Sequence, residues 1–307
     1  MAPRNGIDTV PSVSVVIPTQ GTRADLLGVT IETLSEEACV AEIIVVADRT
    51  SSDSPLPAGK RRVRVIPSPG TGPNASRQAG LEAAEQQIVL FLDDDVVPEA
   101  GLAAGHAGHH AGTRDLLVVG YMPVARDAAG RYTTATAELY GREYERRIAR
   151  YERDSGSILR NLWGGNVSLR RDDALRVGVE NSAHPGRRHE DQDFGFRCSA
   201  AGLHGLFDRE LRATHHYRRS RQAFLRDAWA QGYERALLRQ NVPGSDWFAR
   251  GPRRGNGVLG YRSAGGVVRK AELFSLKAAR RLQLWRGSRR AHHDTDQQEG
   301  HPWRRRS

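Results

Sequence analysis

The chain has almost no lysine. Lys60, Lys270 and Lys277 are the only ones, and arginine supplies the rest of the 46 basic residues. That skew is the one expected of a GC-rich bacterial genome. Against 36 acidic residues it leaves a formal net charge of +10. A basic balance suits nucleic acid, anionic lipid or phosphorylated substrates. Acidic residues are interspersed through all but the tail, so no nucleic-acid partner is expected. Cysteine is nearly absent as well. Cys39 and Cys198 have no CxxC spacing, which excludes a disulfide framework and fits a reducing cytosol. No apolar stretch approaches the ~20 residues of a membrane span, and residues 1–10 lack the apolar core of a secretory signal. The expected location is therefore the cytoplasm.

What is present is a set of short apolar runs. The 307 residues are 38% hydrophobic, enough for one large α/β domain with an appendage. The most informative run is 88–92, which drives into Asp93-Asp94-Asp95 before Val96, Val97 and Pro98 close the segment. Such a run reads as a buried strand of a parallel sheet. In open α/β sheets ligands sit beyond the carboxyl ends of the strands. Two charges ~5 Å apart cost about 3 kcal/mol at an effective dielectric near 20, but under about 1 kcal/mol in bulk water. The triplet is thus either a solvated acidic turn or a partly buried cluster that needs a cation. Asp oxygens suit Mg²⁺ or Mn²⁺.

Strands are predicted at 13–17, stopped by Pro18, and at 42–47, 63–66, 116–119 and 167–169. Helices are predicted at 25–37, 74–86, 101–112, 171–177, 190–201 and 223–241. Residues 205–207 and 212–214 read as separate short extended pieces. Alternation of this kind implies parallel βαβ units. His106, His109 and His110 lie in a small-residue context that reads as solvated surface, with metal binding as the alternative. Residues 133–153 read as a charged helix or long loop whose tyrosines form an exposed acceptor platform or pack on the sheet. The domain plan is a flexible leader at 1–10, a catalytic domain at 11–245, and a basic extension at 246–307. That extension comprises a Gly/Arg-rich linker, a helix over 267–286 with Phe274, Ala278, Leu282 and Trp285 on one face, and disorder from His292 onward.

Several motifs recur in a fixed order. Val15-Val16-Ile17-Pro18-Thr19 is followed by Ile43-Ile44-Val45-Val46-Ala47-Asp48. Gly72-Pro73-Asn74-Ala75-Ser76-Arg77 precedes the Asp triplet. Trp163-Gly164-Gly165-Asn166-Val167-Ser168 and His189-Glu190-Asp191 follow it. Over residues 13–241 this series resembles a family 2 glycosyltransferase of the GT-A fold. That fold is a nucleotide-sugar-binding α/β architecture with a mainly parallel central sheet flanked by helices. Ala47 stands where the family often has a first Asp, and Gln20-Gly21 where it has an aromatic-polar pair.

The resemblance implies a metal-dependent, inverting transfer of a sugar from a nucleoside-diphosphate donor, UDP-sugar favoured, to a hydroxyl of an unknown acceptor. Pro18, Thr19, Asp48, Arg77, Asp93, Asp94, Gly164, Gly165 and Asn166 are implied for the nucleotide sugar, with Asp48 on the uracil edge. Trp163 is either a sugar platform or core. Asp95 is the implied first ligand of Mn²⁺ or Mg²⁺, with Asp93 beside it. The same family often places a ligating histidine where His215 stands, with His216 second. Asp191 is the implied base, with Glu190 beside it at the start of the same helix. There the helix dipole should hold it ionised below the usual carboxylate range. A nucleotidyltransferase would need a Gly-rich basic phosphate loop after its first strand, which 18–23 matches poorly. A non-catalytic sugar binder could dispense with Asp95 or Asp191. The basic apolar-striped tail suggests peripheral contact with an anionic membrane at its inner face.

Overall fold

The computed structural model describes residues 10–47, 62–69, 72–181, 189–241 and 267–299. Asp48 lies outside them. The chain divides into two compact units: 1–125 with 143–217, and 126–142 with 218–307.

The first unit holds the sheet. Strands β1 (Val13–Thr19), β2 (Val40–Ala47), β3 (Val63–Pro67) and β4 (Ile88–Leu92) form its parallel half, in the order β3-β2-β1-β4. Every side chain of β1 and of β4 is buried, which is why both read as unbroken apolar runs. Helices α1 (Ala24–Ser35) and α2 (Pro73–Ala83) make the crossovers. β1 runs through Pro18 to Thr19, past the expected stop. Its ladder with β4 ends at Val16↔Phe91, so Pro18 sits where β1 has a single partner strand and the missing N–H costs little.

The other half is mixed. β7 (Asn166–Arg170) runs antiparallel to β4 and to β6 (Leu116–Tyr121). β8 (His204–His215) is parallel to β6 and antiparallel to the short β5 (Val96–Pro98). The two pieces expected at 205–207 and 212–214 are one strand. Its register slips so that Gly120 pairs with Asp208 and Tyr121 with Arg212. The residues between carry the polar break that splits the pattern.

One open alternative is decided and one expectation is corrected. Residues 135–153 are helix α4 (Ala135–Arg153), and Tyr144 and Tyr151 are core rather than platform. The Tyr144 hydroxyl accepts the Met122 N–H at 2.6 Å, and Tyr151 donates to the Asn161 carbonyl. Helix α3 (Leu102–His110) buries His106 and His110 completely, one turn apart on the same face, instead of solvating them.

The hydrogen bonds around those histidines run in one direction. Asn166 Nδ2 donates to the Leu211 carbonyl at 3.1 Å, so Asn166 Oδ1 must accept from His106 Nε2 at 2.9 Å. His106 Nδ1 is then an acceptor, filled by the Ser168 hydroxyl at 2.8 Å, and Ser168 Oγ accepts in turn from His110 Nε2 at 2.9 Å. Burial holds His106 down to about 3 and His110 to about 4. The unfolded chain, with histidines near 6.5, therefore binds more protons than the fold below that pH. Their contribution to stability is complete above pH ~6.5 and is lost as pH falls toward those lowered values. Each imidazole should cost about 1.4 kcal/mol per pH unit across that window. Urea midpoints measured from pH 7.5 to 4.5 should fall accordingly, and His110→Gln should flatten the slope. An unchanged slope in that variant rejects the assignment.

The second unit contains helices α7 (Arg221–Asn241) and α8 (Val267–Glu299), which pack along one another in the same direction, Arg221 meeting Ser275 near their starts and Tyr233 meeting Asp294 further along. α8 continues past His292, where disorder was expected. Ala291 is buried and Tyr233 donates to Asp294 at 3.3 Å, which anchors the last turns.

Candidate active site

The strand directions gather the chemistry at one edge of the first unit. β1 and β4 are parallel, so Thr19 and Asp93 emerge together. β7 runs the other way and pairs Asn166 with Leu92, which brings the preceding Gly164-Gly165 beside the triplet. The Asp93 N–H donates to the Gly165 carbonyl at 3.1 Å. β5 follows Asp95 directly, and its antiparallel pairing of Val96 with His215 returns the end of β8 to the same place.

The acid cluster is not a solvated turn. Asp94 and Asp95 are buried and Asp93 is half-buried. Thr19 Oγ1 donates to Asp94 Oδ2 at 2.7 Å, and Arg23 Nη1 to Asp94 Oδ1 at 2.5 Å. The other Arg23 nitrogen, Nη2, stands 3.2 Å from Asp95 Oδ2. Arg77 Nη2 donates to Asp93 Oδ1 at 2.6 Å. The cation that a buried triplet requires is thus supplied, in part, by two arginines. Arg23 has no motif of its own. It reaches the acids because it immediately precedes α1, whose start the β1–α1 crossover sets at the strand edge.

Arg77 also joins the triplet to the opposite side of the site. Its Nη1 donates to Asn74 Oδ1 at 3.0 Å and to Asp191 Oδ1 at 3.3 Å. Burial opposes its charge, yet Asp93, Asp191 and Glu190 together hold it firmly protonated. Arg77 Nε is buried without an acceptor among the described residues. Asp191 opens helix α6 (Glu190–Ala200), and its Oδ2 accepts the Gly164 N–H at 2.8 Å. The expectation of a lowered Asp191 is overturned. Burial pushes its carboxyl above the usual range, and Arg77 and the Gly164 N–H only partly offset that. Burial likewise raises Asp94 against the pull of Arg23 and Thr19.

The two glycines are needed by these carboxylates. A Cβ on Gly164 would lie 2.5 Å from Asp191 Oδ1, and one on Gly165 2.7 Å from Asp93 Oδ2. Any side chain there would drive an acid out of place. Trp163 is partly buried, with Tyr144 at its edge at 5.4 Å and the Arg147 guanidinium 4.5 Å over one ring face. Asn166 is fully buried and its side chain is spent on His106 and Leu211. Pro18 pairs with Val46 at the end of β1.

His215 Nε2 lies 3.5 Å from Asp95 Oδ1. His216 follows the strand and meets Asp95 through its backbone, N–H to carbonyl, at 2.8 Å. Among the described residues no three His, Cys, Asp or Glu side chains converge as a self-sufficient metal cage. A carboxylate and an imidazole side by side nevertheless fit a cation completed by substrate phosphates. The acids Asp93, Asp94, Asp95, Glu190 and Asp191 also outnumber the arginines described around them.

Residues 14–177, more than half of the chain, match Glycosyl transferase family 2. The chain belongs to that family. No curated protein matches it in sequence. Among solved structures it is similar to a mannosyltransferase from Pyrobaculum calidifontis in complex with GDP-Man and Mn²⁺, at 13% identity and TM-score 0.59, over 93% of this chain and 88% of that one. It is also similar to glucosyl-3-phosphoglycerate synthase from Mycobacterium tuberculosis in complex with Mn²⁺, UDP and glucosyl-3-phosphoglycerate. There the identity is 19% and the TM-score 0.51, over 75% of this chain and 80% of that one. The fold of this family 2 glycosyltransferase is of the GT-A type.

Proposed function

We propose that this enzyme moves a sugar from a nucleoside diphosphate to an acceptor hydroxyl with inversion at the anomeric carbon, Asp191 acting as base. One observation carries the reading. The Gly164-Gly165 turn lies between Asp93 and Asp191, and each glycine leaves room for one of those carboxylates. The strand-end acids thus face a helix-start base across backbone with no side chains.

Asp191 takes the acceptor proton as the new C–O bond forms. Its raised proton affinity favours that role. The bond from the anomeric carbon to the diphosphate oxygen breaks on the opposite side, and its electron pair leaves with the diphosphate. Asp95 and His215 would hold Mn²⁺ or Mg²⁺, which supplies Lewis acidity to the departing diphosphate. Arg77 and Arg23 keep the acids in place, and Thr19 fixes Asp94. Pro18, Thr19, Arg77, Asp93 and Asp94 line the donor side in this reading, and Asn166 serves it by fixing the turn. The matched mannosyltransferase binds GDP-Man and the matched synthase UDP. The resemblance at the end of the second strand favours UDP-sugars here.

The test is nucleotide release from a panel of UDP- and GDP-sugars with Mn²⁺, Mg²⁺ or EDTA. The expected result is metal-dependent release of a nucleoside diphosphate from one donor. Pyrophosphate release from a nucleoside triphosphate and a sugar phosphate, or no donor binding at all, overturns the reading.

A further inference from the structure

We propose that the outer face of α8 seats the enzyme on an anionic lipid surface. The inner face of the helix is already used. Leu273, Leu276 and Ala291 are buried, and α7 and α8 cross in backbone contact. A Cβ on Gly232 would lie 2.0 Å from the Leu284 carbonyl oxygen, and one on Gly287 2.0 Å from that of Trp229. No side chain fits at that crossing, so the helix cannot roll to bury its other side.

That other side carries Phe274, Leu282 and Trp285, exposed by 77%, 45% and 57%, with exposed Ala278 among them. Their spacing puts them within about 80° of arc on a helix that turns 100° per residue. Exposed Arg281, Arg286 and Arg289 flank them, and the Arg289 guanidinium sits 5.4 Å from the Trp285 ring centroid. Across residues 267–293 the sole carboxylate is Glu272. It lies about 160° round the helix from Phe274.

A solvated face does not need two large aromatics and a leucine, and a nucleic-acid face gains nothing from leucine. Aromatic and aliphatic side chains with arginines at their margins match the boundary between headgroups and acyl chains. Anionic headgroups complement the one-signed charge. No described helix is long and apolar enough to cross the bilayer, so the contact is with its surface. This inference stands apart from the catalytic reading.

Flotation of the full chain with phosphatidylglycerol/phosphatidylcholine vesicles tests it. The protein should float at low salt, sink at high salt, and ignore pure phosphatidylcholine. Phe274→Ser/Trp285→Ser should cut partitioning by about tenfold or more, and Arg281→Gln/Arg289→Gln by roughly 30-fold. All four positions are exposed, and an unchanged far-UV spectrum and melting temperature check the fold. Failure to float overturns the proposal, as does flotation indifferent to both double variants. Salt-sensitive RNA binding without flotation, or a dimer that Phe274→Ser/Trp285→Ser dissociates without flotation, assigns the face to another occupant and overturns it equally.

Discussion

Asp191→Asn is expected to lower sugar transfer by about 10²–10⁴-fold while donor affinity stays near that of the parent enzyme. The substitution keeps volume and keeps an oxygen to accept the Gly164 N–H, but it cannot take a proton. What separates a base from a mere anchor is the kinetic split. An anchor for Arg77 and the Gly164 turn would, when altered, raise the donor KM and lower the melting temperature. A base would lower kcat alone. The product from the parent enzyme should carry inverted anomeric stereochemistry by NMR. Retention, or near-normal turnover in Asp191→Asn, refutes the role.

Asp95→Ala should be as damaging. Loss of a cation that stabilises a departing diphosphate removes several kcal/mol, or about a thousandfold or more in rate. The variant should also lose Mn²⁺ binding in an EPR titration, and the parent enzyme in excess EDTA should match it. The fold should survive, because Asp94 keeps both Thr19 and Arg23. Full activity in the variant or in EDTA rejects the metal reading.

The legibility of this protein follows burial. β1, β2 and β4 are buried almost throughout, so their sequences are apolar runs that identify themselves. β8 reads as two fragments because it is half-exposed and its register slip lies in a polar stretch. The acid triplet was visible, but its partners were not. Arg23 is seventy-one residues from Asp94, and only the β1–α1 crossover brings it there. His106 and His110 hide among alanines and glycines, while the groups that satisfy them, Ser168 and Asn166, come from β7. Asp191 stands at a helix start as its sequence position implies, but its proton affinity runs opposite to what that start alone implies. The helix start argues for one direction, and enclosure by the Gly164 turn imposes the other.

Because Arg23 is shared between Asp94 and Asp95, it would compete with the divalent ion proposed for Asp95. A divalent ion that takes Asp95 must take it from a guanidinium 3.2 Å away. On that proposal, affinity for the ion would be lower than the bare donor set gives. In that exchange Arg23 would keep Asp94 through Nη1, and its Nη2 would turn to an anion beside the strand edge. If a diphosphate then engages it, the exchange is drawn forward, and by linkage the ion strengthens nucleotide binding by the same factor as the nucleotide strengthens ion binding. A site wired in this way would resist filling by stray cations and fill readily when both ligands arrive.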